Sequence, residues 1–522
     1  MNEQRPCLRL IDFFDKGAAL DPERTFLVDD LGSCTYGETR SFSHRIANAF
    51  RREEIAPGSK VAVYSGNATR AFECVIGVIR SGCIWVPVSI RNTVAETVYI
   101  LNNTETRVLF YSAAFRAEVD QILAACPSIH LCICTDAEHG PHPSVSSFIE
   151  GLPDISEEVP AQPEDIVTLF SSGGTTGNPK GVMMPHRAWE AMIAGSQRLI
   201  WHEDPIHLVV APMTHAAGGS ALMMTPMGAT NIMLQGFDPV RVMGAIQGHR
   251  VTHLFLPPTA VYRLLAHPKV REYDYSSLCY FNCASAPMAP EKMKEAVEIF
   301  GPVMMTGFGS TEMGVNITFF SPAEIAQAIA EGNDQRLESC GRVTLFSRLE
   351  IMDETGHLLP PGQTGEIVVR SNQIMKGYFR NDEETARAMI DGWYHTADIG
   401  FKDADGYVYL IDRKRDIIIS GGFNIFPSEV EKVIVTHPAV QDCAVIGIPD
   451  TDWGESVRAV IELKPGLQLT VDEIADFCRK SLSSYKLPKS YEFVPELPRS
   501  AAGKILRRTV REPWWQGRKR QI

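Results

Sequence analysis

A loop rich in glycine and threonine reads Ser172-Gly173-Gly174-Thr175-Thr176-Gly177-Asn178-Pro179-Lys180-Gly181. It follows an apolar run, Ile166 to Phe170, that is typical of a buried strand. Glycines let other groups approach the backbone closely, and N–H groups together with hydroxyls can surround an anion. Lys180 adds positive charge, but Pro179 before it and Gly181 after it replace the Gly-Lys-Ser/Thr ending of the common P-loop. The stretch favours a loop that holds a polyphosphate, and a plain flexible loop is the alternative for the stretch taken alone.

The overall composition narrows the class of protein. The chain has 522 residues, of which 44% are hydrophobic, so roughly two to four subdomains with sizeable cores are expected. The formal net charge of -13 argues against a nucleic-acid partner, which would require a basic face. The polar start, Met1 to Arg9, and the lack of an apolar run long enough to cross a bilayer favour a cytoplasmic protein without integral membrane association.

The cysteines are consistent with this environment. Twelve are scattered along the chain, and no pair has the Cys-x-x-Cys spacing of a zinc site. Cys132 and Cys134 occupy alternate positions of one predicted strand. We expect reduced and mostly buried thiols, as in proteins of a reducing compartment.

The order of predicted elements indicates an α/β fold with more than one domain. Between residues 59 and 90 an apolar strand, a helical pattern and a second strand follow one another, and similar units recur up to residue 256. Strands that alternate with helices indicate βαβ units and largely parallel sheets. From Gly341 to Asp412 short alternating strands are separated by Gly and Pro, which is typical of an antiparallel sheet or a small barrel.

A compact α+β pattern follows a dense charge cluster, Arg413 to Asp416. It has a strand at 416–420, a helix near 427–437, strands at 440–448 and 456–463, and a helix at 471–481. About a hundred residues are enough for an independent domain. We therefore predict an N-terminal domain of residues 1–413 and a smaller C-terminal domain of residues 414–522.

Further motifs accompany the glycine-rich loop in a fixed order. They are Thr306 to Glu312, Asp391 to Asp398, Asp412 to Asp416 with Ser420 to Glu429, and Pro498 to Arg508. With the loop, this series closely resembles the motifs of the adenylate-forming superfamily, which includes acyl-CoA synthetases, beetle luciferases and the adenylation domains of peptide synthetases. The resemblance covers nearly the whole chain, and several motifs in order are far more specific than any one of them.

The resemblance implies a fold, a reaction and a set of ligands. The fold would be a large N-terminal domain of parallel-sheet βαβ subdomains with a small antiparallel barrel, followed by a mobile small α+β C-terminal domain. The enzyme would be an AMP-forming acid–thiol ligase that uses ATP, Mg²⁺ and coenzyme A. A carboxylate would attack the α-phosphorus of ATP, and the thiol of coenzyme A would then displace AMP from the acyl-adenylate.

The resemblance also assigns residues to the ATP half of the reaction, and their chemistry suits the task. Positive charge and N–H donors must offset the repulsion between two anionic reactants. Glu312 would be a hard oxygen ligand for Mg²⁺, Asp398 would accept hydrogen bonds from the ribose diol, and Arg413 would reach ribose or phosphate oxygens. For the last two residues an ordinary surface ion pair is the alternative. The other assigned residues are Thr175, Thr176, Gly177 and Lys180 at the β- and γ-phosphates, Thr311 at the α-phosphate, Phe308 with Gly309 at adenine, and Ser285, Ala286 and Pro287 along adenine and the acyl group.

The C-terminal domain would supply a different group to each half-reaction. Lys504, on a Gly-bearing loop, would bring positive charge to the carboxylate and the α-phosphate only when the domain closes. Arg415 aligns with the pivot of the rotation, where family members usually have Asp or Lys. Gly421, Gly422 and Phe423 would line the coenzyme A tunnel, because two glycines admit a thin chain and leave amides free to bond it. A β-turn is the alternative for these glycines.

The acyl pocket is assigned to residues around two of the motifs. His215 aligns with a family residue beside the acyl group, where it would gate or polarise the carboxylate; a satisfied core histidine is the alternative. Apolar, small or adaptable neighbours favour a hydrophobic carboxylic acid with a medium-to-long chain or a bulky ring. The pocket residues are Met213, His215, Ala217, Gly218, Thr306 and Gly307, and the catalytic residues are Lys504, His215, Glu312 and Thr311.

Departures from the family pattern bear on the activity. Gly173 stands where a serine is usual, Thr306 where Gln or Asn is frequent, and Ala397 where a glycine commonly precedes the ribose-binding Asp. None removes a charged group, so adenylation is still expected. The alternatives are an enzyme that only forms thioester from a preformed acyl-adenylate, a fatty acyl-AMP ligase, and a non-catalytic acyl- or nucleotide-binding relative. The sequence leaves the oligomeric state open, and a homodimer is among the options.

Overall fold

The glycine-rich stretch connects two strands of one sheet. The computed structural model describes residues 7–138, 140–172, 179–213, 216–499 and 505–516. The apolar run forms the strand Ile166–Ser172, which pairs antiparallel with a second strand, Lys180–Pro185. In this pairing Ser172 lies opposite Lys180. The sequence pattern predicts only the first strand, because the return strand begins at the charged lysine itself.

This first sheet has seven strands and is parallel over most of its width. Its spatial order is Gly377–Tyr378, Lys180–Pro185, Ile166–Ser172, Ile84–Pro87, Lys60–Tyr64, Val108–Tyr111 and Leu131–Cys134. The five strands from Ile166–Ser172 onward pair in parallel, and the two before them pair antiparallel with their neighbours. Most of their side chains are apolar and buried, as expected for a parallel sheet covered by helices.

A second sheet also has seven strands. Its spatial order is Met304–Met305, Tyr280–Cys283, His253–Leu256, Ile206–Val209, Thr230–Met233, Thr25–Asp29 and Gly32–Thr35. Only the last pairing is antiparallel. The predicted βαβ architecture is therefore confirmed in both large sheets.

Helices pack against these sheets, and their contacts explain several residue choices. Thr35 caps the helix Tyr36–Arg52: its side chain accepts from the N–H of Glu38, whose carboxylate accepts from the N–H of Thr35. Gly77 lies so close to Ile46 that a Cβ would stand 2.7 Å from that side chain, so glycine lets two helices approach. The helices before residue 395 are Leu10–Leu20, Tyr36–Arg52, Thr69–Arg80, Val94–Asn103, Arg116–Ala125, Val145–Phe148, His186–Leu199, Ala216–Met224, Pro239–His249, Pro258–Leu265, Pro290–Phe300, Pro322–Ala330, Asp334–Leu337 and Asp382–Ala388.

A third, antiparallel sheet occupies the turn-rich region. Its strands are Ser347–Met352, Gly365–Ser371, Met389–Ile390, Trp393–Lys402 and Val408–Arg413. A separate two-stranded ladder joins Thr318–Phe319 to Arg342–Val343. These strands confirm the predicted antiparallel sheet, and its last ladder places Asp398 directly opposite Arg413.

The C-terminal residues form an α+β unit with its own core. Its strands are Ile418–Ser420, Phe423–Ile425, Val440–Asp450, Gly454–Leu463 and Ser490–Val494, and its helices are Pro427–Val435, Val471–Arg479 and Arg507–Arg511. Apolar side chains such as Val430, Ile434 and Ile461 are fully buried between helices and sheet. The predicted order of elements is confirmed, and the structure adds the strands Phe423–Ile425 and Ser490–Val494.

Contacts divide the chain into two compact units. Among the described residues, the first unit takes positions up to 172, 179–349 and 369–394, and the second takes 350–368 and everything from 395 onward. The predicted domain limit between residues 413 and 414, next to the expected pivot Arg415, stays a prediction. None of the helices in the described ranges is long and apolar enough to cross a membrane.

Candidate active site

Lys180 stands at the end of the glycine-rich loop and points its ammonium into a polar cluster. Its Nζ lies 4.9 Å from the centre of the Tyr378 ring and forms an ion pair with Glu384. The strand pairing explains this position, because Gly377–Tyr378 runs antiparallel to Lys180–Pro185, with Tyr378 opposite Val182. The lysine of the predicted phosphate loop is thus fixed by a neighbouring strand that the sequence motifs did not identify.

Glu312 contacts the hydroxyl end of the same tyrosine. The hydroxyl of Tyr378 donates to Oε1 of Glu312 at 3.3 Å, and the backbone oxygen of Glu312 accepts from the N–H of Met375 at 2.7 Å. Burial, followed by the Glu312 charge, raises the pKa of the Tyr378 phenol, so the hydroxyl remains a donor at neutral pH. Lys180 and Glu312, which come from separate motifs, therefore both contact one side chain.

The loop around Glu312 is shaped by two glycines. A Cβ on Gly307 would lie 2.5 Å from the oxygen of Thr318, and one on Gly309 would lie 2.6 Å from the oxygen of Gly314. Only glycine permits these close backbone approaches. Thr311 and Glu312 are half-buried, and Thr306 forms a bridge with Phe320.

Phe308 is buried in this loop. It is 6% exposed, and its N–H donates to Oγ1 of Thr318 at 3.0 Å. A ring so enclosed offers little more than an edge to a ligand. Adenine stacking at Phe308 stays a prediction.

The segment Ser285-Ala286-Pro287 is exposed at the carboxyl end of the strand Tyr280–Cys283. Ser285 has φ of +79°, a left-handed conformation that side chains other than glycine rarely adopt. Ligands of open parallel sheets bind at the carboxyl ends of strands, and backbone strain concentrates at such sites. The position suits the predicted contact with adenine and the acyl group, which stays a prediction.

The described part of the predicted acyl pocket is apolar and closely packed. Met213 and Ala217 are buried, and the N–H of Met213 donates to Oδ1 of Asn67 at 3.0 Å. A Cβ on Gly218 would lie 1.9 Å from the oxygen of Met213. Gly218 is therefore needed for backbone packing at the start of the helix Ala216–Met224, whatever space it leaves for an acyl group.

Several predicted site residues lie outside the described residues. They are Thr175, Thr176 and Gly177 of the phosphate loop, His215 of the acyl pocket and Lys504 of the C-terminal loop, together with the departure at Gly173. Their roles stay predictions.

In the second unit, Asp398 and Arg413 form an ion pair across the antiparallel ladder. Nε of Arg413 lies 3.2 Å from Oδ1 of Asp398, with the arginine side chain 50% exposed and the aspartate 16% exposed. The N–H of Asp398 also bonds Oγ1 of Thr396 at 3.0 Å. Ala397 has φ of +57°, a left-handed conformation that favours glycine, the residue that the resemblance leads one to expect before this aspartate. The pair presents an oriented carboxylate and a partly free guanidinium face.

The predicted pivot of the C-terminal domain, Arg415, lies in a single turn. Arg415 occupies the 3₁₀ turn Lys414–Asp416, between strands that end at Arg413 and begin at Ile418. Burial, followed by the charge of Arg413, lowers the pKa of Arg415. The C-terminal helix reaches this turn: Nη1 of Arg511 donates to the oxygen of Arg415 at 3.4 Å.

Arg507 is the centre of an acidic cluster beside this turn. Its guanidinium bonds Glu431 at 2.7 Å and Asp416 at 3.0 Å, and lies 3.7 Å from Asp412. Burial raises the pKa of Glu431, while these acids raise the pKa of Arg507 above its ordinary value. The sequence motifs contain Arg507, Asp412 and Asp416 but do not show that these residues meet. Glu431, which lies beyond the quoted motifs, completes the cluster.

The Gly421-Gly422-Phe423 segment borders an exposed aromatic cluster. Gly421 and Gly422 have φ of +58° and +83°, and a Cβ on Gly421 would lie 2.4 Å from the Trp453 ring. The exposed rings of Phe423 and Tyr485 contact each other at a tilt of 30°, with centroids 5.0 Å apart. Lys489 lies over Trp453 at 4.6 Å. The glycines therefore make a turn, as the alternative interpretation holds, and that turn adjoins a surface suited to an aromatic anion.

The described residues fit a magnesium ion held mainly by substrate. Among them, no group of three or more His, Cys, Asp or Glu side chains is arranged to hold a metal. Mg²⁺ is usually bound through one or two carboxylates and the oxygens of substrate phosphates. Glu312 offers such a carboxylate, half-buried and oriented by Tyr378.

These features define a class of enzyme. A parallel α/β scaffold that holds a loop lysine beside a magnesium-type carboxylate, with an α+β unit at its C-terminus, is the arrangement of adenylate-forming enzymes. Comparison with protein families agrees: the family described as AMP-binding enzyme matches residues 14–379, and the AMP-binding enzyme C-terminal domain matches residues 429–504. The chain belongs to the AMP-binding enzyme family, and it is an AMP-forming acid–thiol ligase.

Relatives share the fold but differ in their named substrates. The chain is 32% identical to a feruloyl-CoA synthase of Amycolatopsis over 95% of its length and 96% of the relative's. It is also 32% identical to the long-chain-fatty-acid–CoA ligase of Bacillus subtilis, over 95% of its length and 92% of the relative's. The amide bond synthetase McbA of Marinactinospora thermotolerans superposes with a TM-score of 0.86 at 28% identity, over 97% of this chain and 100% of that one.

Proposed function

We propose that this enzyme activates a hydrophobic carboxylic acid with ATP and transfers the acyl group to coenzyme A. One observation carries the proposal: Lys180 and Glu312 both contact the same side chain, Tyr378, the lysine at its ring and the glutamate at its hydroxyl. A cation and a magnesium-type carboxylate that share one neighbour suit the triphosphate of ATP. The positions of both groups are fixed by strand pairing and hydrogen bonds, so little reorganisation is needed when the nucleotide binds.

In the first half-reaction a carboxylate oxygen of the substrate forms a bond to the α-phosphorus, and the bond from that phosphorus to pyrophosphate breaks. Lys180 would offset the negative charge that grows on the leaving pyrophosphate. Glu312 would hold Mg²⁺, which when bound neutralises charge on the phosphate oxygens. Asp398 would accept hydrogen bonds from the ribose hydroxyls, and the exposed face of Arg413 would bond ribose or phosphate oxygens.

In the second half-reaction the sulfur of coenzyme A attacks the acyl carbonyl carbon, and the carbon–oxygen bond to AMP breaks. The surface beside Gly421 and Gly422 supports coenzyme A as the acceptor. Phe423 and Tyr485 offer exposed, tilted rings to the purine of coenzyme A, and Lys489 offers positive charge to the phosphates of coenzyme A. Lys504 would serve the first half-reaction and would be replaced by this surface in the second.

A hydrophobic acid fits the described part of the pocket. Met213 and Ala217 are buried and apolar, and the helix Ala216–Met224 that follows is also apolar. The relatives named for ferulate and for long-chain fatty acids both act on acids with a large apolar body. Ring-bearing and medium-to-long chain acids are therefore the first substrates to test.

A panel of acids tests the proposal and separates its alternatives. The panel should include phenylpropenoic acids, C8 to C16 fatty acids, dicarboxylic acids and amino acids. ATP–pyrophosphate exchange reports the adenylation step, and mass spectrometry with coenzyme A reports the thioester. We expect both signals with an aromatic or aliphatic monocarboxylic acid.

Three other outcomes would each favour a different alternative. Thioester formed from synthetic acyl-adenylate without any exchange indicates an enzyme limited to the second half-reaction. Exchange without thioester indicates an acyl-AMP ligase or an enzyme with another acceptor. Preference for dicarboxylic or amino acids would overturn the hydrophobic assignment.

A further inference from the structure

Lys180, the lysine of the phosphate loop, is already engaged by a carboxylate of the first unit. Its Nζ is hydrogen-bonded to Oε2 of Glu384, and the two side chains are 24% and 29% exposed. Lys180 is the group that the proposed function places on the nucleotide phosphates. A carboxylate and a phosphate oxygen are competing anionic partners for the same ammonium.

Glu384 is held in place rather than meeting Lys180 by chance. It lies in the first turn of the helix Asp382–Ala388, and its N–H donates to the capping side chain of Asn381 at 3.2 Å. Carboxylates are favoured in the first turn of a helix by the exposed N–H groups there. Nη1 of Arg387 donates to the other carboxylate oxygen of Glu384 at 2.8 Å.

The helix that carries Glu384 is fastened to the strand beside Lys180. The N–H of Tyr378 donates to Oγ1 of Thr385 at 2.9 Å, and Thr385 donates in turn to the oxygen of Asn381 at 2.9 Å. A Cβ on Gly377 would lie 2.8 Å from the Thr385 side chain, so glycine allows this approach. The carboxylate is therefore pre-positioned over Lys180 by the same strand that positions Tyr378.

The charges around the pair also favour an ionised Glu384. The Lys180 ammonium, followed by Arg387, holds the pKa of Glu384 below its usual range. Arg387 contacts Glu383 as well, at 2.6 Å, so it stays close to the helix when Lys180 leaves. Glu384 consequently has a second cation available after Lys180 turns to another anion.

We propose that Glu384 is a built-in competitor for the triphosphate, which holds Lys180 in the nucleotide-free enzyme and yields it when ATP binds. The inference rests on the proposed function, because it requires Lys180 to contact phosphate. Glu384 is a positioning residue: it acts on the nucleotide through Lys180 and sets the affinity for ATP. Breaking the pair is part of the free energy of ATP binding, so removing the carboxylate charge should tighten binding.

Glu384→Gln tests this inference, and Glu383→Gln is its matched control. Both variants remove one charge from the same helical turn, but Glu383 pairs only with the exposed Arg387 among the described residues. The dissociation constant of Mg-ATP is measured by calorimetry on the full chain without acid or coenzyme A. A partly exposed pair of this kind is worth about a two- to fivefold change in affinity. We expect Glu384→Gln to bind Mg-ATP two- to fivefold more tightly at low salt, with Glu383→Gln unchanged.

Two further measurements separate competition from a structural effect. The gain in affinity should shrink at high salt, because the pair is screened. It should also vanish when Lys180→Ala is added, because the double variant has no ammonium to compete for. Glu384→Ala should tighten binding like Glu384→Gln, which covers the case in which the glutamine variant folds poorly.

Different results would overturn the inference about Glu384 or the proposed function on which it rests. If Glu384→Gln and Glu383→Gln bind Mg-ATP equally, or if Glu384→Gln binds it more weakly, Glu384 is not a competitor. If Lys180→Ala alone binds Mg-ATP as tightly as the unmodified chain, the phosphate role of Lys180 fails, and the inference fails with it.

Discussion

Replacing Arg507 by methionine should destabilise the second unit by about 3 kcal/mol. The guanidinium bonds Glu431 at 2.7 Å and Asp416 at 3.0 Å and lies 3.7 Å from Asp412. Methionine keeps much of the volume but leaves these carboxylates without their shared cation. Breaking a buried ion pair costs about 3–5 kcal/mol, and the arginine side chain is still 22% exposed, so the low end of this range applies.

The loss of stability should grow with pH. Burial raises the pKa of Glu431 above its ordinary value near 4.5 even with Arg507 present, and removing the cation raises it further. An acid whose pKa is raised in the native state holds its proton more tightly there than in the unfolded chain. The variant's free energy of unfolding should therefore fall as the pH rises above that ordinary value, more steeply than that of the unmodified protein.

Hydrogen exchange of the helix Pro427–Val435 at pH 6 and pH 8 reports the stability of this unit directly. Arg508→Met is the matched control, because Arg508 is 45% exposed and only approaches Glu512, at 3.6 Å. The control should change stability by less than about 0.5 kcal/mol. A stability of Arg507→Met within about 1 kcal/mol of the control, or a deficit that shrinks as the pH rises, would contradict this role of Arg507.

Further predictions concern three single side chains. Tyr378→Phe keeps the ring next to Lys180 but removes the hydroxyl that orients Glu312. The Mg²⁺ concentration for half-maximal pyrophosphate exchange should therefore rise about tenfold. An unchanged Mg²⁺ dependence would contradict the orienting role of Tyr378. Ala397→Gly relieves a left-handed φ of +57° and should raise the free energy of unfolding by about 0.5–1 kcal/mol in denaturant titrations. A lower free energy of unfolding in this variant would show that the conformation of Ala397 is not strained. Burial raises the pKa of Glu73 from near 4.5 to about 7, so the free energy of unfolding should fall by up to ~3 kcal/mol as the pH rises between these values. Glu73→Gln should remove this pH dependence in unfolding curves measured from about pH 4 to pH 8.

The architecture could be predicted from sequence because hydrophobic period and element order are local properties. The apolar run Ile166 to Phe170 and the repeated strand–helix units give the parallel sheets directly. The predicted C-terminal elements also match, since each has a clear pattern and a turn at its end. The strands Phe423–Ile425 and Ser490–Val494 escape prediction because they are short and carry polar residues within them.

The site could be predicted only in part, because motifs identify residues but not their partners. Glu312 and Lys180 are evident from their motifs, yet Tyr378 and Glu384, which position them, lie far along the chain in a stretch without a recognised pattern. Gly218 shows the opposite case. Its small size suggested pocket space, whereas the structure shows a backbone approach to Met213 that demands glycine.

Strain at Ala397 and Ser285 could not be predicted from residue type, since both residues normally avoid a positive φ. Their conformations follow from the strands and turns on either side, which fix the backbone regardless of the side chain. At Ala397 the turn before Asp398 therefore holds a left-handed backbone conformation although the residue is not glycine.

Lys180 and Glu312 are proposed to act together on the phosphates of ATP. ATP–pyrophosphate exchange in Lys180→Ala and Glu312→Gln measures this joint action, with Lys376→Ala as the control for loss of an exposed lysine in the same unit. Among the described residues, the ammonium of Lys376 bonds only the backbone oxygen of Glu164. We predict that the exchange rate falls at least about 100-fold in each site variant and stays within about twofold in the control. These changes correspond to a loss of about 3 kcal/mol of transition-state stabilisation in each site variant and of less than about 0.5 kcal/mol in the control. Exchange in Lys180→Ala and Glu312→Gln at the level of the control would contradict the claim.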